Sequence, residues 1–398
     1  MAQQSTAAPT SLTRAGQRNA AGDARALYLK LFSGEMFKGF EYNAIARDLV
    51  MKRTLTGGRS MQFIYTGRTT AEYHTPGQAI LGNSNGAPPV AEKTITVDDL
   101  LISSAFVYDL DETLSHYDLR SEISKKIGYA LAQKYDRLIF RAISRGARAK
   151  SPVQKASFIE PGGTQIRVGT TTSASDAYNS SNLVSAFYDA AAALDEKGVS
   201  SDGRVGVLNP RQYYELIQAI GSNGLVNRDV QGSALQSGNG IIEIAGIKIY
   251  KSMNIPFFGN YGTKLGGTAS ATDPGTPAIG NEGSFVGEEM EDAENSDTGI
   301  NNEYGEGGDG TTGDFKNSCG LIFQKEAAGC VEAIGPQVQV TSGDVSVVYQ
   351  GDVILGRLAM GADYLNPAAA VELYAGTATP PAQFGTVQTA TNNAGYGG

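Results

Sequence analysis

Two aspartates two residues apart, at the end of an apolar run, come nearest in this chain to spelling chemistry. The run is Phe106-Val107-Tyr108-Asp109-Leu110-Asp111-Glu112-Thr113-Leu114. In that arrangement Asp109 would attack phosphorus and Asp111 would serve as acid and base, with Mg²⁺ screening the charge. The other parts of such a site are hard to find. A later acidic motif should follow a strand, yet after Gly351-Asp352 the stretch Val353-Ile354-Leu355-Gly356-Arg357 supplies no second carboxylate. The plainer reading is a strand end whose carboxylates open a long helix, where negative charge suits the positive end of the helix dipole.

Other candidates are weaker. Gly82-Asn83-Ser84-Asn85-Gly86 matches a nucleophile elbow by letters, but it sits in an Asn/Gly loop beside Pro88-Pro89 rather than between a strand and a helix. The dipeptide Gly-Lys never occurs, so there is no phosphate-binding P-loop. With only His74 and His116 a His-rich metal site is impossible, and Cys319 and Cys330 form neither a metal spacing nor a disulfide framework. Both thiols read as half-buried in a reducing cytoplasm. No catalytic, cofactor-binding or metal residue is expected. One charge pattern asks for more thought. Lys134, Arg137, Arg141, Arg145 and Arg148 fall on one stripe of a helix. The stripe either complements the dipole and aids solubility, or forms a sequence-independent surface for the phosphates of a polyanion.

The elements that must hold these residues can be read from periodicity. Residues 1–24 are small and polar and read as a mobile arm. Residues 26–32 suit a short helix. Two β-prone runs, 50–56 and 60–66, flank Gly57-Gly58-Arg59 and suggest a hairpin. Further strands are expected at 93–97 and 101–108. Residues 116–145 carry Leu119, Ile123, Ile127, Leu131, Tyr135, Leu138, Ile139, Ala142 and Ile143 at helical spacing, with Gly146 as C-cap. That helix would be a rod of ~45 Å. A connection over 150–182 leads to a helix at 183–197, a strand at 204–208, a helix at 210–220 and a strand pair within 241–250. Strands return at 320–323, 337–340, 345–349 and 354–360.

Charge is uneven along the chain. The net charge is −9, but residues 260–318 alone hold twelve acidic side chains against two lysines. That segment has too little apolar content to offset chain entropy and reads as a disordered or loosely folded insertion. The first residues lack the basic-then-apolar order of a signal peptide, and no apolar run approaches a membrane span. The expectation is a soluble protein made in a cytoplasm.

Several strings carry a family resemblance. They are Leu29-Lys30-Leu31-Phe32-Ser33-Gly34-Glu35, Gly67-Arg68-Thr69, residues 73–77 and Glu92-Lys93-Thr94-Ile95-Thr96-Val97-Asp98. The most specific runs from Tyr108-Asp109 to His116-Tyr117-Asp118-Leu119-Arg120-Ser121-Glu122, and Gly320-Leu321-Ile322-Phe323 and Ala359-Met360-Gly361 follow. Over residues 22–255 and 318–374 the chain resembles the major capsid proteins of T-seven-type, short-tailed bacteriophages. It departs from them in the acidic insertion and the glycine-rich tail.

The resemblance implies an α+β, Hong Kong 97-like capsid fold. Residues 1–48 would be the N-terminal arm, and 49–108 the extended β-hairpin loop with strands of a peripheral domain. Residues 109–180 would hold the spine helix and its connection, and 181–320 the axial domain with the acidic insertion at about 260–317. Residues 321–374 would return to the peripheral domain and 375–398 form a flexible tail. The implied function is self-assembly into an icosahedral head of hexamers and pentamers around double-stranded DNA. Partners would be further copies of the chain, a scaffolding protein, a portal protein and non-specifically bound DNA, with no membrane. The place would be the virion, after assembly in the host cytoplasm. Arg59, Arg68 and Tyr73 would make contacts between subunits from the extended loop, and the basic stripe would face DNA. Some relatives weld the shell through a lysine of the extended loop; no lysine lies between Arg53 and Glu92, so a non-covalent shell is expected. The rival readings are a haloacid-dehalogenase-like Mg-dependent phosphatase built on Asp109, and a nanocompartment shell protein of the same fold.

Overall fold

The computed structural model of the protein describes residues 45–67, 71, 73–77, 90–97, 100–108, 119–151, 153–155, 158–170, 174–218, 242–255, 315, 318–340 and 350–376. In chain order a 3-10 turn at Ala46–Asp48 precedes β1 (Met51–Thr54), β2 (Ser60–Thr66), β3 (Val90–Thr96) and β4 (Leu101–Tyr108). Helix α1 (Leu119–Arg148) follows, then the short strands β5 (Gln154–Lys155), β6 (Phe158–Ile159) and β7 (Thr164–Arg167). Helix α2 (Ser180–Glu196), β8 (Arg204–Leu208), helix α3 (Pro210–Gln218), β9 (Ile242–Ile244) and β10 (Ile247–Lys251) come next. The described part ends with β11 (Ser318–Gln324), β12 (Ala328–Val340), β13 (Gly351–Tyr364) and β14 (Ala370–Tyr374).

Two sheets carry the body. One has the order β1-β12-β13-β4 and the other β7-β14-β11-β8-β10-β9. Among the described residues β5 and β6 pair only with each other. Helix α1 joins the two sheets through its long apolar stripe. Toward its start, Ile127 and Leu131 pack with Val107 of β4 and Ile354 of β13. Toward its end, Ile139, Phe140, Ile143 and Ala147 enter the main core with Leu321, Phe323, Val371 and Leu373 of the six-stranded sheet. The helix can approach β13 closely because residue 356 is glycine: a Cβ there would run into Ile127 and Leu131. Mixed helix and sheet around a shared core is the expected α+β class.

Several expectations change. Helix α1 runs three residues past the expected end at 145. Gly146 is not its cap; it lies inside the helix, where a Cβ would stand 2.8 Å from Cβ of Tyr364. The hairpin expected around Gly57-Gly58 does not form. β1 instead pairs in parallel with β12, and β2 pairs antiparallel with β3. The thirteen-residue β12 offers β1 a partner that is not local in sequence, and the Leu55 N–H extends that ladder to the Glu332 carbonyl at 2.8 Å. β7 and β14 are additional strands, paired in parallel with each other. The six-stranded sheet draws on residues 164–167, 204–208, 242–244, 247–251, 318–324 and 370–374, so the boundary drawn between 320 and 321 falls inside β11. The run 345–349, the helix expected at 26–32 and most of the acidic stretch lie outside the described residues.

Candidate functional site

The basic stripe of α1 is the first sequence candidate to place. Arg137 and Arg148 are only 3% and 1% exposed and Arg141 is also buried, while Lys134 and Arg145 are half-buried. An open face for phosphates is therefore not what these residues form. Arg148 donates to Glu372 of β14 from Nε and from a terminal nitrogen, both at 2.7 Å. The same carboxylate accepts from Ser144 Oγ at 2.6 Å and Gln165 Nε2 at 3.1 Å. On the other side the Arg148 guanidinium lies 4.4 Å from the ring centroid of buried Phe315, and Arg141 lies 5.7 Å from it. Charge-assisted bonds and ring contacts replace the water that these cations give up. The end of the stripe, at Arg148, is thus a socket that joins the spine helix to the six-stranded sheet.

A second polar node lies one turn or more earlier on α1. Glu332 of β12 accepts both Arg47 Nε and its terminal nitrogen at 3.0 Å, Lys52 Nζ at 3.0 Å and the Tyr135 hydroxyl at 2.7 Å. Burial opposes the charge on Glu332, but these donors outweigh it and hold its carboxyl below the ordinary value. Tyr135 spends its proton on Glu332, so Cys330, 3.1 Å away, is the donor to the Tyr135 oxygen. Burial pushes the Cys330 thiol up to about 11, and both cysteines are fully buried rather than half-buried. Next to Tyr135, Asp136 accepts the Ile45 N–H at 2.9 Å and the Ala46 N–H at 3.1 Å. Burial pushes its carboxyl up to about 6, against those two bonds and one from Asn254.

The β2–β3 ribbon is the element that offers most surface. Its inner face sets Phe63 and Ile95 against Val331, Ala359 and Leu365. Arg53 lies over the Phe63 ring at 4.9 Å, and Lys93 reaches Asp363 at 2.8 Å. A cleft of about 670 Å³ at the ribbon is lined by Gln62, Ile64 and Tyr65 together with Glu160, Lys197 and Glu326. Lys197 is held there by the Gly162 carbonyl and Thr164 Oγ, and burial lowers its amine to about 8. The outer face is different. Ile64 is 76% exposed and Val90 is 62% exposed, and the β2–β3 register makes them diagonal neighbours. Arg59 and Tyr73 are exposed too, whereas Arg68 lies outside the described residues.

The phosphatase reading fails on topology. Asp109 and Asp111 lie outside the described residues, but the strand that would carry them, β4, is the edge of its sheet among the described residues and pairs antiparallel with β13. The expected arrangement was a run of parallel strand–helix repeats, and among the described residues β4 has no parallel neighbour. The Gly82–Gly86 loop also lies outside the described residues. Sequence reading passed over Glu332, Glu372 and Asp136. The signal for the first two was a single carboxylate inside an apolar strand, Cys330-Val331-Glu332-Ala333-Ile334 and Ala370-Val371-Glu372-Leu373-Tyr374.

Known proteins resemble the chain in both sequence and structure. The family model described as Gp10A-like major capsid protein matches residues 62–293. The major capsid protein of Escherichia phage T7 is 31% identical over 208 residues, which cover 51% of this chain and 59% of that protein. The chain thus spans less than two thirds of that relative. The major capsid protein of Enterobacteria phage T3 is 35% identical over 124 residues, 31% of this chain and 35% of that protein. Among solved structures, the capsid of the cyanophage P-SCSP1u superposes with a TM-score of 0.64 at 30% identity, covering 89% of this chain and 95% of that one. The mature capsid of bacteriophage PhiM1 gives 0.56 at 17% identity, covering 93% and 98%. These capsid neighbours share the Hong Kong 97-like fold.

Proposed function

The chain belongs to the Gp10A-like major capsid protein family, and from that premise we propose that it is the shell subunit of a short-tailed phage head. Copies of it would associate into hexamers and pentamers of an icosahedral capsid around double-stranded DNA. Assembly would take place in the bacterial cytoplasm with a scaffolding protein and a portal protein. The shell would be non-covalent, since the stretch between Arg53 and Glu92 carries no lysine to weld. The mechanism is association, and no catalytic step is assigned.

The outer face of the β2–β3 ribbon carries this reading. Ile64 and Val90 stand exposed on it, with Arg59 just ahead of β2 and exposed Tyr73 beyond it. Such a ribbon buries only its inner side at home, so it gains more by lying across a neighbour. Each contact can be modest, because a closed symmetric shell repeats it many times. An axial part within 181–320 and a returning peripheral part within 321–374 belong to the same proposal, with their boundary moved off residue 320 because β11 and the six-stranded sheet run across it.

The test is co-expression with a scaffolding protein, read by electron microscopy and light scattering. Wild type should give closed shells. Ile64→Asp combined with Tyr73→Ala should leave thermal unfolding of the unassembled chain unchanged and stop shell formation. Normal shells from that double variant would refute the assignment of the ribbon. Shells that survive boiling in detergent as cross-linked ladders would refute the non-covalent part.

A further inference from the structure

The β2–β3 ribbon is gripped from two strands at one of its rungs. Its base is the Ser60–Thr96 pair and its far end the Thr66–Val90 pair, with Phe63 opposite Lys93 midway. The base sits close on β13, because residue 361 is glycine and a Cβ there would run into the Thr96 carbonyl. At the middle rung one ribbon strand offers a ring and the other a cation. Arg53 of β1 lies over the Phe63 ring at 4.9 Å, and Lys93 lies over the Tyr364 ring of β13 at 3.8 Å. Lys93 also reaches Asp363 at 2.8 Å. The other oxygen of that carboxylate accepts the Tyr364 N–H at 2.8 Å, which fixes its direction. In the four-stranded sheet β1 and β13 flank β12, so the two grips come from either side of the strand that carries Val331, with which Phe63 and Ile95 cluster.

We propose that this rung is the fulcrum of the ribbon, with Lys93 as the positioning residue that fixes the angle of the far end over the cleft. Apolar contact alone does not fix an angle. The packing of Phe63 and Ile95 is non-directional, so it holds the ribbon down and leaves it free to turn about its base. The charged contacts have a direction. Turning the ribbon toward β1 draws Lys93 off Tyr364 and Asp363, and turning it toward β13 draws Phe63 off Arg53. Gln62, Tyr65 and Thr66 line the cleft with Glu160, Lys197 and Glu326, so the same angle sets its width. The angle also sets where Ile64 and Val90 point. It is a property of the unassembled chain and holds whether or not shells form.

Distances between paired spin labels on the purified, unassembled full-length protein test it. Cys319 and Cys330 are buried, so the labels go to introduced cysteines at exposed positions. One pair joins Val90→Cys at the far end to Tyr188→Cys on α2. A second joins Ser60→Cys at the base to the same position on α2. Lys93→Met keeps the length of the side chain and removes its charge. It should raise the fraction of displaced far-end distances by about fivefold, the order expected when a cation–π contact and a partly exposed ion pair are lost together. The base distances should not change. Lys93→Arg keeps a cation that can make both contacts and should restore most of the wild-type distribution. A far-end distribution that stays at wild type in Lys93→Met overturns the fulcrum. Equal broadening at the base overturns it too, since the whole ribbon would then have loosened, and so does a Lys93→Arg distribution as broad as that of Lys93→Met.

Discussion

Glu372→Gln is the sharpest test of how the spine helix is joined to the six-stranded sheet. The substitution keeps the shape of the side chain and removes its charge. In the native protein Glu372 has no exposed surface and collects four donors, two of them from Arg148, which is itself 1% exposed. A glutamine can accept on one oxygen only. Its amide would point hydrogens at donors on Arg148 or Ser144, so about two charge-assisted bonds are lost at roughly 1.5–3 kcal/mol each. The Arg148 cation stays buried beside Phe315 with the Glu372 charge that faced it removed. The expected loss is about 3–5 kcal/mol. Urea unfolding of the unassembled chain, followed by circular dichroism because the protein has no tryptophan, measures it directly. A companion variant sharpens the logic. Arg148→Met with Glu372→Leu removes both charges and replaces them with apolar groups, and such exchanges are near neutral or stabilising in other buried pairs. The double variant should therefore be more stable than Glu372→Gln alone. A loss below about 1 kcal/mol for Glu372→Gln would refute the reasoning, since a buried charge cannot lose its partner at so small a cost.

Two further predictions follow from the packing around α1. Asp136 has its carboxyl raised from 3.8 to about 6 in the folded protein, so between those values the folded form holds a proton that the unfolded form lacks. Its contribution is therefore most favourable at low pH and falls as pH rises through 6, by about 3 kcal/mol in total. Comparing the urea stabilities of wild type and Asp136→Asn from pH 3 to 7.5 should show the difference between them shift by about that amount, and parallel curves would contradict it. Gly356→Ala should cost about 1–3 kcal/mol, because its methyl would enter the space of Ile127 and Leu131. Combined with Ile127→Ala the loss should be smaller than the sum of the two single losses, measured in the same unfolding assay.

Much of the fold was legible because local patterns were strong. The apolar stripe from Ile127 to Ile143 announces α1, the five-residue run Arg204–Leu208 coincides with β8, and Pro210 marks the start of α3. These signals depend on neighbours in sequence, and they survive without any knowledge of the partner. Strand pairing does not. Met51–Thr54 and Ser60–Thr66 both form strands, yet Gly57-Gly58 joins two different sheets instead of a hairpin. β7 was hidden because Thr164-Gln165-Ile166-Arg167 has no alternation of its own and is a strand only beside β14.

The sequence by itself determined the long helix, the local concentration of acidic charge and the strings that mark a capsid protein family, since each depends on residue identity at short range. Tertiary structure alone decided what the charged residues do. Five cations at helical spacing look the same whether they face solvent or a sheet. The carboxylate that turns the end of that stripe into a socket, Glu372, lies more than two hundred residues away in sequence and 2.7 Å away in space. The same holds for Asp136, which accepts the N–H groups of Ile45 and Ala46 from about ninety residues earlier in the chain. Burial makes such polar groups costly unless a partner is brought to them, and only the folded chain specifies which partner arrives.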